Sequence, residues 1–407
     1  MGCDFHETKS RVARRRRVPR VSLPAMHRLV TVFLCAFLVD GVLSVSVDWQ
    51  PVSLVQPVVA LAVFGFALVL YAIMAFDRRL PKRLLLPPIL FLIWASICGG
   101  FPLAFLEVPH VHVVISWMQL ALGLLLFGIH LKRPPISDAT PSPAFTWRNF
   151  ALTLVATMVL VPLTLVTGAV NAIGVALETT TDGYLKIRPK GLLLEEREFQ
   201  KGNKRVRLVS MMHIGNREFY ESVRDSFSLQ LPAVVLMEGV RDDRGTFDGD
   251  FSYAPLAEKL GLQAQEADIL MKPPAKQEPT GDVTQPDFRH SDVDVSSFHP
   301  RTLEMMRAIG HFLANPTLET ALQTFGAEDS PFQGADVEDI VMTDILTNRN
   351  AHLANEIRSA LDDYDVVIVP WGALHMPEIE DTLESWGFQK TREIDRPVVK
   401  FGKSAKR

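Results

Sequence analysis

Read as a run of hydrophobic and polar positions, the chain changes character near residue 178. Before it, five long apolar stretches follow one another, Leu29–Val47, Val52–Phe76, Leu84–Leu106, Val111–Ile129 and Phe150–Leu177. Each is near the ~20 residues that a helix needs to cross a bilayer. The fourth is the shortest and carries Gln119, and the third is interrupted by Pro87-Pro88 and Gly99-Gly100, so either fits a re-entrant segment as well as a span. After residue 178 the apolar runs shorten and alternate between two periods. Runs rich in β-branched residues predict strands at Tyr184–Arg188, Leu192–Glu195, Val206–Met212, Ala233–Glu238, Val366–Pro370 and Pro397–Phe401. Helical spacing predicts helices at Arg217–Leu229, Tyr253–Leu260, Pro300–Ala314, Val337–Asp362 and Pro377–Trp386. The Pro-containing stretch Met271–Pro286 reads as a loop, inside an insertion between Gly239 and Arg301. Strands alternating with helices predict an α/β domain with a partly parallel sheet covered by helices, whose ligands gather at the strands' carboxyl ends.

Charge sharpens this division. The net charge of -4 hides +8 over residues 1–177 and -12 over 178–407. Such asymmetry fits a membrane part followed by a water-facing part. All 15 basic residues of the first part fall in the arm 1–28, in the Arg78–Arg83 connection or in Lys132–Arg148. None falls in Asp48–Gln56 or Glu107–His110. That alternation predicts a multi-pass protein of a plasma or inner membrane with a cytoplasmic arm, about five helices over 29–177, and the domain 178–407 outside the cytoplasm. The tract Arg14-Arg15-Arg16-Arg17 is read as the flank of the first span, since an apolar run follows it at once, and a nucleic-acid partner is not expected. The run is also long for a cleaved signal peptide. Cys3, Cys35 and Cys98 all precede residue 178, so the second part has neither a disulfide nor a thiolate metal site.

Candidate chemistry sits where strands end. His213 follows Val206–Met212, Glu238 follows Ala233–Met237, and His375 follows Val366–Trp371. Two imidazoles and a carboxylate suit a divalent Mn, Co, Fe or Zn ion with positions open to water and substrate. Each residue alone has an ordinary structural explanation, and Glu238 in particular is expected to pair with Arg241. In the insertion, His290, Asp292 and Asp294 share a face if extended and could form a second cation site or a lid contributing to the first, but a turn before the helix near Pro300, capped by Asp and Ser residues, is preferred. His110 and His112 are read as interfacial.

Four segments, Met211-Met212-His213-Ile214-Gly215, Val234-Val235-Leu236-Met237-Glu238-Gly239-Val240-Arg241, Asn348-Arg349-Asn350 and Gly372-Ala373-Leu374-His375, resemble in order and context the TraB/Tiki superfamily. That group includes pheromone-shutdown membrane proteins and Tiki metalloproteases, and is itself similar to erythromycin-esterase and ChaN-like proteins. The resemblance covers most of 184–401 and none of the apolar half. It implies His213 and His375 as the paired histidines, Glu238 as their acidic partner, and Arg349 and Asn350 as a helix pair facing the site. Two departures stand out: Ser210 where the first motif usually has Gly, and Glu378 where a Gly often follows the second His. Glu378 lies one turn beyond His375, where it could join the metal shell or disable the usual geometry, and it is the candidate for a base where no other is evident. The implied function is a membrane-anchored, metal-dependent hydrolase acting on peptides, with Arg349 stabilising an oxyanion. The alternative is a non-catalytic membrane protein that sequesters a peptide signal. A transporter is disfavoured because Asp40 is the only charge inside the spans.

Overall fold

The computed structural model describes residues 23–47, 49–103, 106, 108–132, 144–227, 232–247, 252–265, 269–271, 285–327, 330–334 and 336–401. The four-arginine arm, the Pro134–Pro143 stretch, most of the 271–286 loop and the end of the helix expected over 217–229 lie outside them. The chain divides into two compact units, residues 1–171 and 172–407.

The first unit is helical: α1 (Leu23–Val45), α2 (Gln50–Phe76), α3 (Lys82–Ser96), α4 (Val111–Leu131) and α5 (Trp147–Thr180), whose last residues belong to the second unit. Among the described residues four helices are long and apolar enough to cross a membrane, α1, α2, α4 and α5. The third expected span, Leu84–Leu106, is helical over only part of its length: α3 has 15 residues and stops at Ser96, before Gly99 and Gly100, which take positive φ of 57° and 69°. Its two ends nonetheless lie at opposite ends of the unit. At its start, Lys82 hydrogen-bonds to Asn149 of α5, whose amide also donates to the Met74 and Ala75 carbonyls at the end of α2. Just beyond its end, Cys98 Sγ accepts from Thr167 of α5 at 3.0 Å. From Asn149 to Thr167, α5 rises about 27 Å. The α2–α3 connection further donates Arg78 N–H to the Ala144 carbonyl at 2.9 Å, so two of the basic connections meet at one end.

The second unit is built on a seven-stranded mixed sheet. The strands are β1 (Leu185–Arg188), β2 (Gly191–Lys201), β3 (Lys204–Met211), β4 (Ile214–Gly215), β5 (Ala233–Met237), β6 (Gln263–Ala264), β7 (Asp287–His290), β8 (Val366–Gly372) and β9 (Gln389–Lys400). The helices are α6 (Arg217–Asp225), α7 (Ala254–Leu260), α8 (Pro300–Ala314), α9 (Leu318–Gly326), α10 (Val337–Met342), α11 (Asn348–Asp363) and α12 (Met376–Ser385). The order is β1-β2-β3-β8-β5-β7, with β9 also paired to β2, while β4 and β6 form a separate ribbon. β3, β8, β5 and β7 are parallel neighbours, so their carboxyl ends share one edge, and β1, β2 and β9 form an antiparallel flank.

Burial explains which strands are central. Val366 to Trp371 of β8 and all of β5 are buried on both faces, as strands covered by helices must be, and both read as unbroken apolar runs. The antiparallel flank instead buries charge. Glu196 on β2 accepts from Arg207 on β3 and Arg396 on β9, both at 2.6 Å. From the next pleat, Arg197 joins Glu195 and Glu380, each at 2.6 Å, and Tyr184 donates to the same Glu380. Paired this way, the charges avoid the several kcal/mol each would cost alone.

Two expectations change here. The strand expected over 397–401 is the end of a longer β9, missed because its first half is exposed and charged. The single helix expected over 337–362 is α10 and α11 joined by a π-helical turn, Thr343–Thr347. Asp344 of that turn is buried and accepts from His299 N–H at 2.7 Å and the Thr302 hydroxyl at 2.6 Å, tying the wide turn to the start of α8.

Candidate active site at the parallel strand ends

The four parallel strands each deliver a polar residue just past their carboxyl ends. Met211 of β3 lies opposite Gly372 of β8, and Met237 of β5 opposite His290 of β7. Beyond these positions come His213, His375, Glu238 and Asp292. Helix α11 presents Arg349 and Asn350 to the same edge, both buried although adjacent in sequence.

Arg349 is the hub. Its Nε donates to Asp292 Oδ1 at 2.9 Å, and Nη2 donates to Asp292 Oδ2 at 2.6 Å and Glu238 Oε1 at 2.9 Å. Nη1 donates to the Ile345 carbonyl at 3.4 Å and to His375 Nε2 at 3.2 Å. These contacts use all five N–H donors of the guanidinium. The indole of Trp371, pinned by its N–H to the Leu236 carbonyl at 3.0 Å, lies under it with 5.2 Å from Cζ to the ring centre. Burial works against charge on Arg349, but Asp292 and Glu238 hold it protonated more firmly than in water. Burial likewise opposes ionisation of Asp292, yet Arg349 and the N–H groups of Gly239 and Val293 bring its carboxyl below the usual range.

His375 is the other fixed point. Its Nδ1 lies 2.6 Å from Asn350 Oδ1, and Asn350 Nδ2 donates to Glu378 Oε2 at 2.6 Å. With Asn350 Nδ2 donating to Glu378, its Oδ1 is the atom turned to the imidazole, which makes Nδ1 of His375 the protonated nitrogen. The lone pair of Nε2 is therefore turned toward Arg349 and Glu238, whose Oε1 is 3.7 Å away. Burial lowers the pKa of His375 to about 4, with Glu238 and Asp292 opposing and Arg349 and His213 adding to the shift. The imidazole is neutral at physiological pH.

The expected residues are thus gathered unequally. Glu238, His375, Arg349 and Asn350 meet, and Glu378 stands behind Asn350 with no contact to Glu238 or Arg349. His213 is exposed and stacks on Tyr253, with ring centres 4.6 Å apart. Its strand-end loop is held by Gln265 N–H on the His213 carbonyl and by the β4–β6 ribbon. Among the described residues no group of three or more His, Cys, Asp or Glu side chains is close enough to hold a metal ion. The partner expected for Glu238 is corrected: Arg241 is half-exposed and faces Asp243, and Arg349 takes the acid instead. The His290–Asp294 segment divides. Asp294 caps the short turn Val295–Ser297, but α8 at Pro300 is capped by the His299 side chain rather than by an Asp or Ser, while Asp292 reaches the site because the β5–β7 pairing brings it beside Glu238. Tyr253 was not singled out as a functional residue by the sequence pattern; burial chiefly, then Glu238, raises its phenol pKa.

Two atoms have the donor chemistry for a divalent ion, the Nε2 lone pair of His375 and Glu238 Oε1, and each now accepts from Arg349, which an ion would have to displace. The local charge fits as well, since Glu238 and Asp292 face a single guanidinium. A third donor is not gathered with them. No family model matches the chain, and no curated protein and no solved structure matches it.

Proposed function

We propose that this chain is a membrane-anchored, metal-dependent hydrolase of the TraB/Tiki type acting on peptides, with its centre at the parallel strand ends. The observation that carries the reading is the His375 tautomer, fixed by Asn350 and Glu378 so that an unprotonated Nε2 faces the carboxylate of Glu238. Metal-ligating histidines are commonly oriented through their other ring nitrogen in this way. Glu238 and His375 would hold the ion, and His213, now stacked on Tyr253, would supply the third donor. When bound, such an ion lowers the pKa of water and polarises a carbonyl. Arg349 keeps Asp292 ionised and holds Glu238 in place. Its two Nη1 contacts, at 3.2 and 3.4 Å, are its longest, and are the donors a substrate oxyanion would recruit. Glu378 orients Asn350 and is not placed to act as a base on substrate.

The membrane reading favours five crossings. α3 and the turn after it reach from the Asn149 level of α5 to the Thr167 level, about 27 Å, close to the ~30 Å of a bilayer core. Five crossings keep every basic connection on the cytoplasmic side and release residues 172–407 outside the cytoplasm. Four crossings would put Lys132–Arg148 on the wrong side.

The full chain in nanodiscs, incubated with a peptide library and added Mn, Co or Zn, is expected to cleave, and to stop on chelation or in the Glu238→Gln variant. Peptide that is retained intact, with binding lost in the same variant, would instead favour a sequestering protein. Asn350→Leu removes the acceptor for Nδ1 without touching the proposed ligands, and is expected to weaken metal affinity by roughly 10–100-fold, measured by competition with a metal-sensitive dye.

A further inference from the structure

Asp40 lies on α1 inside the helical unit, 3% exposed. Its Oδ2 accepts from Gln119 Nε2 of α4 at 2.8 Å, and the same nitrogen reaches the Phe37 carbonyl at 3.1 Å. Its Oδ1 is buried and makes no hydrogen bond of ordinary geometry, although the Gln56 amide lies close to the carboxyl. An unsatisfied carboxylate oxygen in hydrocarbon surroundings is among the costliest states a side chain can adopt, and neutralisation is the usual escape. No cation on the neighbouring helices supplies it. The helices packed on α1 are α2, α3 and α4. The only titratable side chain of α2 is Tyr71; those of α3 are Lys82 and Arg83 at the basic end, and those of α4 are His112 and His130, one near each end.

The surroundings of Asp40 are one-sided. Toward the end of the unit away from the basic connections stand Ser44 on α1, Gln56 on α2, which hydrogen-bonds to Ser44 and flanks the carboxyl, and Ser116 and His112 on α4. Asp40 is about 8 Å along α1 from Val45. Toward the basic end the same seam is closed by Phe33, Leu34, Phe37, Val63, Leu70 and Leu126, all buried. Close packing of α1 on α4 completes the seal: a Cβ on Gly41 would come within 3.0 Å of Leu120, and one on Gly123 within 2.6 Å of Leu38.

We infer that Asp40 is a proton-binding site, a neutral carboxylic acid within the bundle that exchanges its proton only with the non-basic side. A metal cation is disfavoured because one free oxygen and an amide nitrogen fall far short of the roughly six oxygens a hard cation takes. This site is separate from the strand-end centre and does not rest on the hydrolase reading.

Dicyclohexylcarbodiimide tests it, since that apolar reagent adds to protonated carboxyl groups within membranes and leaves a stable N-acylurea. The full chain in liposomes should carry the adduct on Asp40 at mildly acidic pH, with labelling that declines as pH rises and no adduct at residue 40 in Asp40→Asn. The wild-type protein should also show an infrared carboxylic C=O band that shifts in D2O and is missing from Asp40→Asn. Absence of both the adduct and the band at every pH overturns the proposal. So does labelling that Na⁺ blocks at constant pH, which would make Asp40 a cation ligand.

Discussion

Arg349→Met is expected to lower the stability of the second unit by about 3–5 kcal/mol, the usual consequence of removing one partner from a buried ion network. The methionine fills much of the space, but Glu238 and Asp292 then share a buried edge with no cation between them. For a domain of this size the unfolding midpoint should fall by on the order of 10 °C. Arg349→Lys should fall between, because an ammonium restores charge and cannot reproduce the paired bonds to Asp292 together with the bond to Glu238. Thermal unfolding of the full chain in detergent, followed by circular dichroism, reads both variants. A midpoint for Arg349→Met within a degree or two of wild type would mean that the guanidinium does not hold this edge together.

His375 makes the second large effect, one that depends on pH. Its folded pKa is lowered from 6.5 to about 4. Between those values the unfolded chain takes up a proton that the folded chain refuses, so acid favours unfolding. The stabilisation is fully present above the unfolded pKa, erodes as pH falls toward 4, and amounts to about 3 kcal/mol. Asp292 acts in a lower window, its folded pKa being brought below 3.8, so the two are separable. In chelated samples His375→Asn keeps an N–H for Asn350 and cannot titrate, and should flatten the stability curve between pH 6.5 and 4. Denaturant titrations across that range check this; an unchanged slope would mean that the imidazole is not buried neutral.

How far the sequence announced this arrangement depended on whether a residue's role was local. Val366 to Trp371 and Ala233 to Met237 read as buried strands because strands covered on both faces are continuously apolar, and the polar residue ending each run marks the sheet's edge. Glu238 and His375 were legible for that reason. Asp292 was not, because its neighbours Ser291 and Asp294 are ordinary turn formers and nothing local says that β7 will lie beside β5. Arg349 was legible as a site residue but not as one whose every donor is engaged, since the count requires Asp292, Ile345 and His375 in place at once. The break between α10 and α11 was hidden for a related reason. A π turn leaves an amphipathic pattern nearly intact and shifts it by one residue, here just before Asn348. In the first half, hydropathy saw the apolar stretch 84–106 but not that its helix ends at Ser96, where glycines turn the chain against Asn171.

The central claim is that the strand-end cluster is a metal centre. Elemental analysis of the full chain, purified without chelators, tests it most directly. The account predicts one divalent transition-metal ion per chain, lost in both His375→Ala and Glu238→Gln. Metal absent from the wild-type protein even after incubation with Mn, Co, Fe or Zn, or retained undiminished in both variants, would contradict it.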